Sequence, residues 1–248
     1  YKSFFSFVKE LKPKVFLMEN VPNIMSMGKG IVKDAILKDF TSIGYNVSTK
    51  ILLASDYGVP QNRKRFTLIA NRISKNQIEP IKSRRKLTVR DVIGEENGFP
   101  KINAGHKDNT SFNHSVPNIS EITLRRLKKV ERNGGNRLSF ANDPELQLDC
   151  FKGRDSSFKD TYGRLWWDKA SPTITTKFIS VSNGRFIHPE ENRALSIREG
   201  ATLQSFPKSY KFLTHSTSDT ARIIGNAVPP EYAKRIGQAI IKNHMNAI

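Results

Sequence analysis

Four consecutive apolar residues, Val15-Phe16-Leu17-Met18, constrain this chain more than any other stretch. A run so short and so uniformly apolar reads as a strand that is covered on both sides. Such strands belong to parallel sheets with helices on each face. The neighbouring patterns agree. Phe4, Phe5, Val8 and Leu11 recur at helical spacing until Pro13 ends the pattern. Ile31, Val32, Ala35, Ile36, Phe40 and Ile43 mark an amphipathic helix with Gly44 as its stop. Residues 46–54 and 65–71 read as two more strands, joined by Ser55-Asp56-Tyr57-Gly58-Val59-Pro60-Gln61. Alternating helix and strand predicts an α/β layer.

The apolar run ends abruptly in Glu19-Asn20, and Val21-Pro22 then forbids further regular structure. Ligands of open α/β sheets sit beyond the carboxyl ends of strands, which makes Glu19 and Asn20 candidate site residues. A second candidate is Gln61-Asn62-Arg63-Lys64-Arg65, which leads straight into a strand. Arg63 and Arg65 project the same way in an extended segment. Two guanidinium groups side by side repel unless an anion or a carbonyl-rich ligand lies between them; the plainer alternative is a solvated basic edge.

After about Arg72 the chain turns polar, basic and irregular, with one helix expected over 120–132 and ended by Gly134-Gly135. Residues 161–187, rich in Thr, Ile, Phe and Trp, look like strand material. Ser196 and Glu199 form a capping box that opens a short helix stopping before Pro207. A last helix follows Pro229-Pro230. The 41 basic against 23 acidic side chains give a net charge of +18. That excess points to a polyanionic partner, or to a ribosomal, secreted or merely basic protein. The single cysteine, Cys150, excludes an internal disulfide framework and suits a reducing compartment. No apolar run approaches the roughly 20 residues of a membrane span, and no signal peptide is visible. His106, His114 and His188 lack metal-ligand spacing, so no metal is expected. The opening residues at Tyr1 already look helical, as in a truncated, processed or split protein.

The order of several motifs resembles the DNA (cytosine-5) methyltransferases. "KPKVFLMENVPN" is similar to the family's sixth motif, and "DYGVPQNRKR" to the seventh and eighth together. "RALSIREGATLQSFPKSYKF" resembles the ninth and "RIIGNAVPP" the tenth. "YGRLWWDKASPTITTKF" with "GRFIHP" resembles the end of a target-recognition region. The family's Phe-x-Gly-x-Gly cofactor loop and its catalytic Pro-Cys are absent, and Cys150, between Asp149 and Phe151, does not match the nucleophile. The resemblance therefore implies the carboxyl-terminal part of such an enzyme, beginning just before the sixth motif.

What the resemblance implies is specific. The fold is α/β: part of a Rossmann-like sheet that uses S-adenosyl-L-methionine, with a smaller, irregular, β-rich recognition domain. Residues 1–72 and 188–248 would belong to the catalytic domain and 73–187 to target recognition. In this family a cysteine thiolate adds to carbon 6 of a flipped-out cytosine, and carbon 5 then takes the methyl group. Glu19 would hydrogen-bond N3 and the exocyclic amine, with Asn20 fixing the turn behind it. Arg65 would bind O2 and Arg63 would support it or hold a phosphate, unless the two exchange roles. Gln61 would hold the active-site loop, and Thr173-Ile174 would lie near the flipped nucleotide. Gly225 would permit a tight turn, and Asn226 and Ala227 would complete the cofactor pocket. The implied partners are double-stranded DNA and the missing amino-terminal part, in the same chain or as a subunit. The implied setting is prokaryotic restriction–modification in the cytoplasm. A non-catalytic DNA-binding subunit of a split enzyme is the competing expectation.

Overall fold

A computed structural model describes residues 1–245. The elements in chain order are α1 (Lys2–Leu11), β1 (Val15–Asn20), α2 (Ile31–Ser42), β2 (Asn46–Leu53), β3 (Gln61–Asn62), β4 (Lys64–Asn71), α3 (Glu121–Lys129), β5 (Ser171–Pro172), α4 (Ile197–Leu203), α5 (Thr217–Asn226) and α6 (Pro230–Met245), with short 3₁₀ turns between them. The chain divides into two compact units. The first holds Tyr1–Gly58, Arg63–Arg85 and the chain from Glu231 on; the second holds Val59–Asn62 and Lys86–Pro230.

In the first unit the strand order is β1-β4-β2. Both outer strands run antiparallel to β4, with Glu19 opposite Thr67 and Lys50 opposite Thr67 from the other side. This corrects the parallel pairing expected from the apolar run. β1 and β2 do point the same way, with α2 between them in sequence, but the chain turns back after β2 and inserts β4 between them. The strand covered on both faces is therefore β4, where Phe66 through Asn71 are all buried, while in β1 only Phe16 is.

Alternation along β4 decides what each face meets. Phe66, Leu68 and Ala70 join Phe16, with Val8 of α1 and Ile36 and Phe40 of α2, in one core. The Phe40 ring packs 4.6 Å from that of Phe16 and 5.4 Å from that of Phe5, centroid to centroid. On the opposite face Thr67 meets Tyr232 of α6, hydroxyl to hydroxyl at 2.5 Å. The sheet thus lies between α1 and α2 on one side and α6 on the other.

Two apolar clusters lie among the described residues of the second unit. One gathers Ile93, Trp167, Phe178, Leu195 and Ile224, the other Leu127, Phe140, Tyr162 and Ile187. The stretch 161–187 is strand only at Ser171–Pro172, apart from single bridges that Ile187 makes with Arg164 and Ala194. Buried arginines replace the missing ladder. Arg164, fully buried, donates to the carbonyls of Leu127, Val130, His188 and Glu191. Arg185 donates to those of Gly134, Gly135 and Arg164. Guanidinium groups satisfy carbonyls that a sheet would otherwise pair. The capping box of α4 forms as expected, with the Ser196 hydroxyl accepting from Glu199 N and the Glu199 carboxylate from Ser196 N.

Candidate active site

Glu19 is the penultimate residue of β1, and Asn20 closes the strand by accepting a hydrogen bond from Val21 N at 2.8 Å. The turn Pro22–Met25 follows at once. Thr67 faces Glu19 across the sheet, so Arg65, two residues earlier on β4, is the diagonal neighbour of Glu19 on the same face. Arg65 Nε lies 2.7 Å from Glu19 Oε1, and its Nη1 donates to Lys64 O at 2.8 Å. The carboxylate contact is an ion pair without a directed hydrogen bond, since Oε1 is buried and receives no aligned donor.

Arg63 also sits at this end of β4 and is only 2% exposed. Burial, with the like charge of Arg65, lowers its pKa to about 10, against the opposing pull of Glu19. Burial likewise lowers that of Arg65, which Glu19 partly offsets. Tyr232 completes the group. Burial pushes its phenol up to about 12, although the hydrogen bond with Thr67 acts the other way. The result is a carboxylate and a guanidinium side by side, half-buried, on a rigid strand pair. An acceptor beside a donor fork matches a planar ring that offers both a donor and an acceptor along one edge.

In the second unit, β3 pairs in parallel with β5. Thr173 Oγ1 donates to Asn62 O at 3.0 Å, and Ile174 N donates to Gln61 Oε1 at 2.9 Å. The Gln61 amide nitrogen reaches Gln204 Oε1. Gln204 Nε2 in turn donates to the carbonyls of Ile224 and Ala227, at 2.8 and 2.9 Å. Gln61, Ile174 and Gln204 are fully buried, whereas Thr173 is partly exposed. The structure thus brings Gln61, Thr173 and Ile174, each singled out from the sequence, into contact. Sequence reasoning missed Gln204, whose only signal is its place at the end of the capped helix α4.

Asn226 is exposed at the end of α5, next to Ala227. Gly225 lies inside that helix, not in a turn as expected. It is needed for close packing, because a methyl group there would stand 2.4 Å from Thr175 C and Thr176 N. Arg198 is buried and donates to the carbonyls of Ser111, Phe112, Pro207 and Tyr210, tying two loops together. His188, Glu191 and Glu199 offer three ligand atoms within 4.8 Å of one another. Arg193 already bridges both carboxylates, at 2.9 Å from Glu191 and 2.7 Å from Glu199, so a cation there would face a guanidinium. Cys150 is exposed in a 3₁₀ turn of the second unit.

The family model described as C-5 cytosine-specific DNA methylase matches residues 1–242. The chain belongs to this family. Among relatives, it is 36% identical over 240 residues to the type II methylase M.HgiDII of Herpetosiphon aurantiacus, covering 94% of this chain and 66% of that protein. It is 36% identical over 247 residues to the type II methyltransferase M1.HphI of Haemophilus parahaemolyticus, covering 99% and 61%. The chain therefore spans less than two thirds of the length of these relatives. A crystal structure of a DNA modification methyltransferase encoded within an E. coli prophage superposes with a TM-score of 0.72 at 22% identity, covering 98% of this chain and 73% of that one. The chain thus has the α/β methyltransferase fold. Among the described residues no helix is long and apolar enough to cross a membrane.

Proposed function

We propose that this chain forms the carboxyl-terminal part of an enzyme that methylates carbon 5 of cytosine in a specific duplex sequence. The observation that carries the reading is the Glu19–Arg65 pair, a buried carboxylate oxygen in contact with a guanidinium yet without an aligned donor. A flipped cytosine offers N3, an amino group and O2 along one edge. Glu19 accepts from the amine with one oxygen and, having taken up a proton on the other, donates to N3 as a thiolate adds to carbon 6, and Arg65 donates to O2. Hydrogen bonding where charge develops is what accelerates such a step. Arg63 supports Arg65 or holds a nearby backbone phosphate. Asn20 holds the turn behind Glu19.

S-adenosyl-L-methionine supplies the methyl group when bound. The exposed amide of Asn226 and the methyl of Ala227 suit one polar and one apolar edge of such a ligand. Flipping the base costs a few kcal/mol, which the basic recognition region, residues 73–187, offsets through phosphate contacts. Of the residues assigned to DNA, Thr173 has the accessible surface; Gln61 and Ile174 act by holding it. The thiol nucleophile and the main cofactor loop come from the amino-terminal part, in the same chain or as a partner, because Cys150 lacks the family's neighbours. The setting is cytoplasmic restriction–modification in a prokaryote. That same lack of a matching thiol favours, as a second reading, a non-catalytic DNA-binding subunit.

The test is transfer of labelled methyl groups to duplex DNA with the amino-terminal part supplied. Activity is expected, and Glu19→Gln is expected to lower the rate by roughly 10² to 10³. A Glu19→Gln enzyme working at the parental rate would remove the carboxylate from the reaction. No transfer by the completed enzyme, with duplex binding retained, would favour the non-catalytic subunit.

A further inference from the structure

One loop of the second unit is built to expose an aromatic ring. Phe158 is 60% exposed and adopts φ +54°, a left-handed conformation that a phenylalanine rarely takes. The loop beneath it is held from inside by Arg137, which is only 2% exposed. The Arg137 guanidinium donates to the carbonyls of Arg154, Ser157 and Phe158, at 2.5, 2.6 and 3.3 Å. It also stacks on Phe151, 4.6 Å from the ring centroid, and Phe151 lies 6.2 Å from Phe158. A buried cation, a half-buried ring and an exposed ring form a ladder that fixes the tip.

The charges around the tip are sorted. Asp149 pairs with Lys152, Asp155 with Arg137 and Asp160 with Arg185. Each of these acids has a cationic partner, and Arg154 and Lys159 are exposed cations on either side of Phe158. An apolar ring flanked by two outward cations is the arrangement that meets stacked bases between two phosphate strands. An acidic protein partner would match the cations equally, but +18 over the whole chain favours a polyanion of uniform charge.

We propose that the Arg137-clamped loop 149–160 is a DNA-contacting element whose Phe158 ring packs against the bases of the duplex while Arg154 and Lys159 hold the backbone. The inference rests on the DNA-binding reading given above and adds to it the element that reaches the bases.

The experiment uses the full chain and a fluorescein-labelled 30-base-pair duplex of mixed sequence. Phe158→Ala is expected to weaken binding by roughly 5- to 100-fold, with an unchanged salt slope because the ring neutralises no phosphate. Arg154→Ala with Lys159→Ala is expected to reduce the slope of log affinity against log salt by about 1 to 2. Duplex should also slow alkylation of the native Cys150, which sits at the base of the loop. Phe158→Leu, which keeps an apolar contact, should lie between parent and alanine variant and separates lost stacking from misfolding. A Phe158→Ala protein that binds like the parent, or Cys150 alkylated at the same rate with and without duplex, overturns the inference alone. A parent chain that binds no duplex even at low salt overturns the DNA reading beneath it.

Discussion

Replacing Glu199 by Gln tests whether the second unit depends on a buried charge pair. Glu199 is fully buried, and its two oxygens accept from Arg193 at 2.7 and 2.8 Å. Glutamine keeps the length and an oxygen that can still accept from Ser196 N, so the cap of α4 survives, while the charge and one hydrogen bond from Arg193 are lost because the amide NH2 faces the guanidinium. Removing one partner of a buried pair costs about 3–5 kcal/mol. Arg193 keeps its contacts with Glu191, so the lower end, about 3 kcal/mol, is expected. For a chain of this size that is a fall in midpoint of roughly 6–12 °C, read by thermal denaturation. The pH dependence has a fixed sign. Burial pushes the Glu199 carboxyl up, but Arg193 outweighs it and brings the pKa to about 2. A depressed carboxyl stabilises fully above its ordinary value of 4.5, and the contribution is lost as pH falls from there toward 2. Parent and variant should therefore converge in acid and differ most near neutrality. A variant within about 0.5 kcal/mol of the parent at pH 7, the range of ordinary surface changes, would refute the reasoning.

Gly225→Ala sets two effects against each other. Alanine improves a helix interior by roughly 1 kcal/mol, but here its methyl would enter the backbone of Thr175 and Thr176, so a net loss of about 1–3 kcal/mol is expected by chemical denaturation. Binding of the chain to duplex DNA should fall steeply between roughly 50 and 200 mM salt, in a titration followed by anisotropy; flat affinity would show that phosphate neutralisation is not its source.

Much of the first unit was legible because its signals are local. Gly44 and Pro13 stop helices where expected, and the strands over 46–54 and 65–71 form within a residue or so of their predicted bounds. Strand direction was not legible. Val15-Phe16-Leu17-Met18 looked doubly covered, but apolarity reports burial and not the sense of pairing, which the return of the chain after β2 decides. Glu19 and Arg65 were both singled out from the sequence and lie in contact, while the contacts of Tyr232 and Gln204 were not foreseen, since nothing local marks a partner 165 or 143 positions away. The stretch 161–187 misled because Thr, Ile and Trp favour strands, yet Arg164 and Arg185 satisfy the carbonyls first. Helix α5 was missed although Ser216 caps it through Asp219 N at 3.1 Å.

The Thr67–Tyr232 contact also has a consequence for birth on the ribosome. One face of β4 is covered by α1 and α2, which emerge before it, but the other waits for α6. At a synthesis rate of about 5–20 residues per second, the 165 intervening residues take roughly 8–33 s. Over that interval the second unit has ample time to fold, while the strand pair bearing Glu19 and Arg65 stands half-clothed. The first part of this chain to be made is thus the last to be finished, and its exposed interval is the moment at which a chaperone would have something to hold.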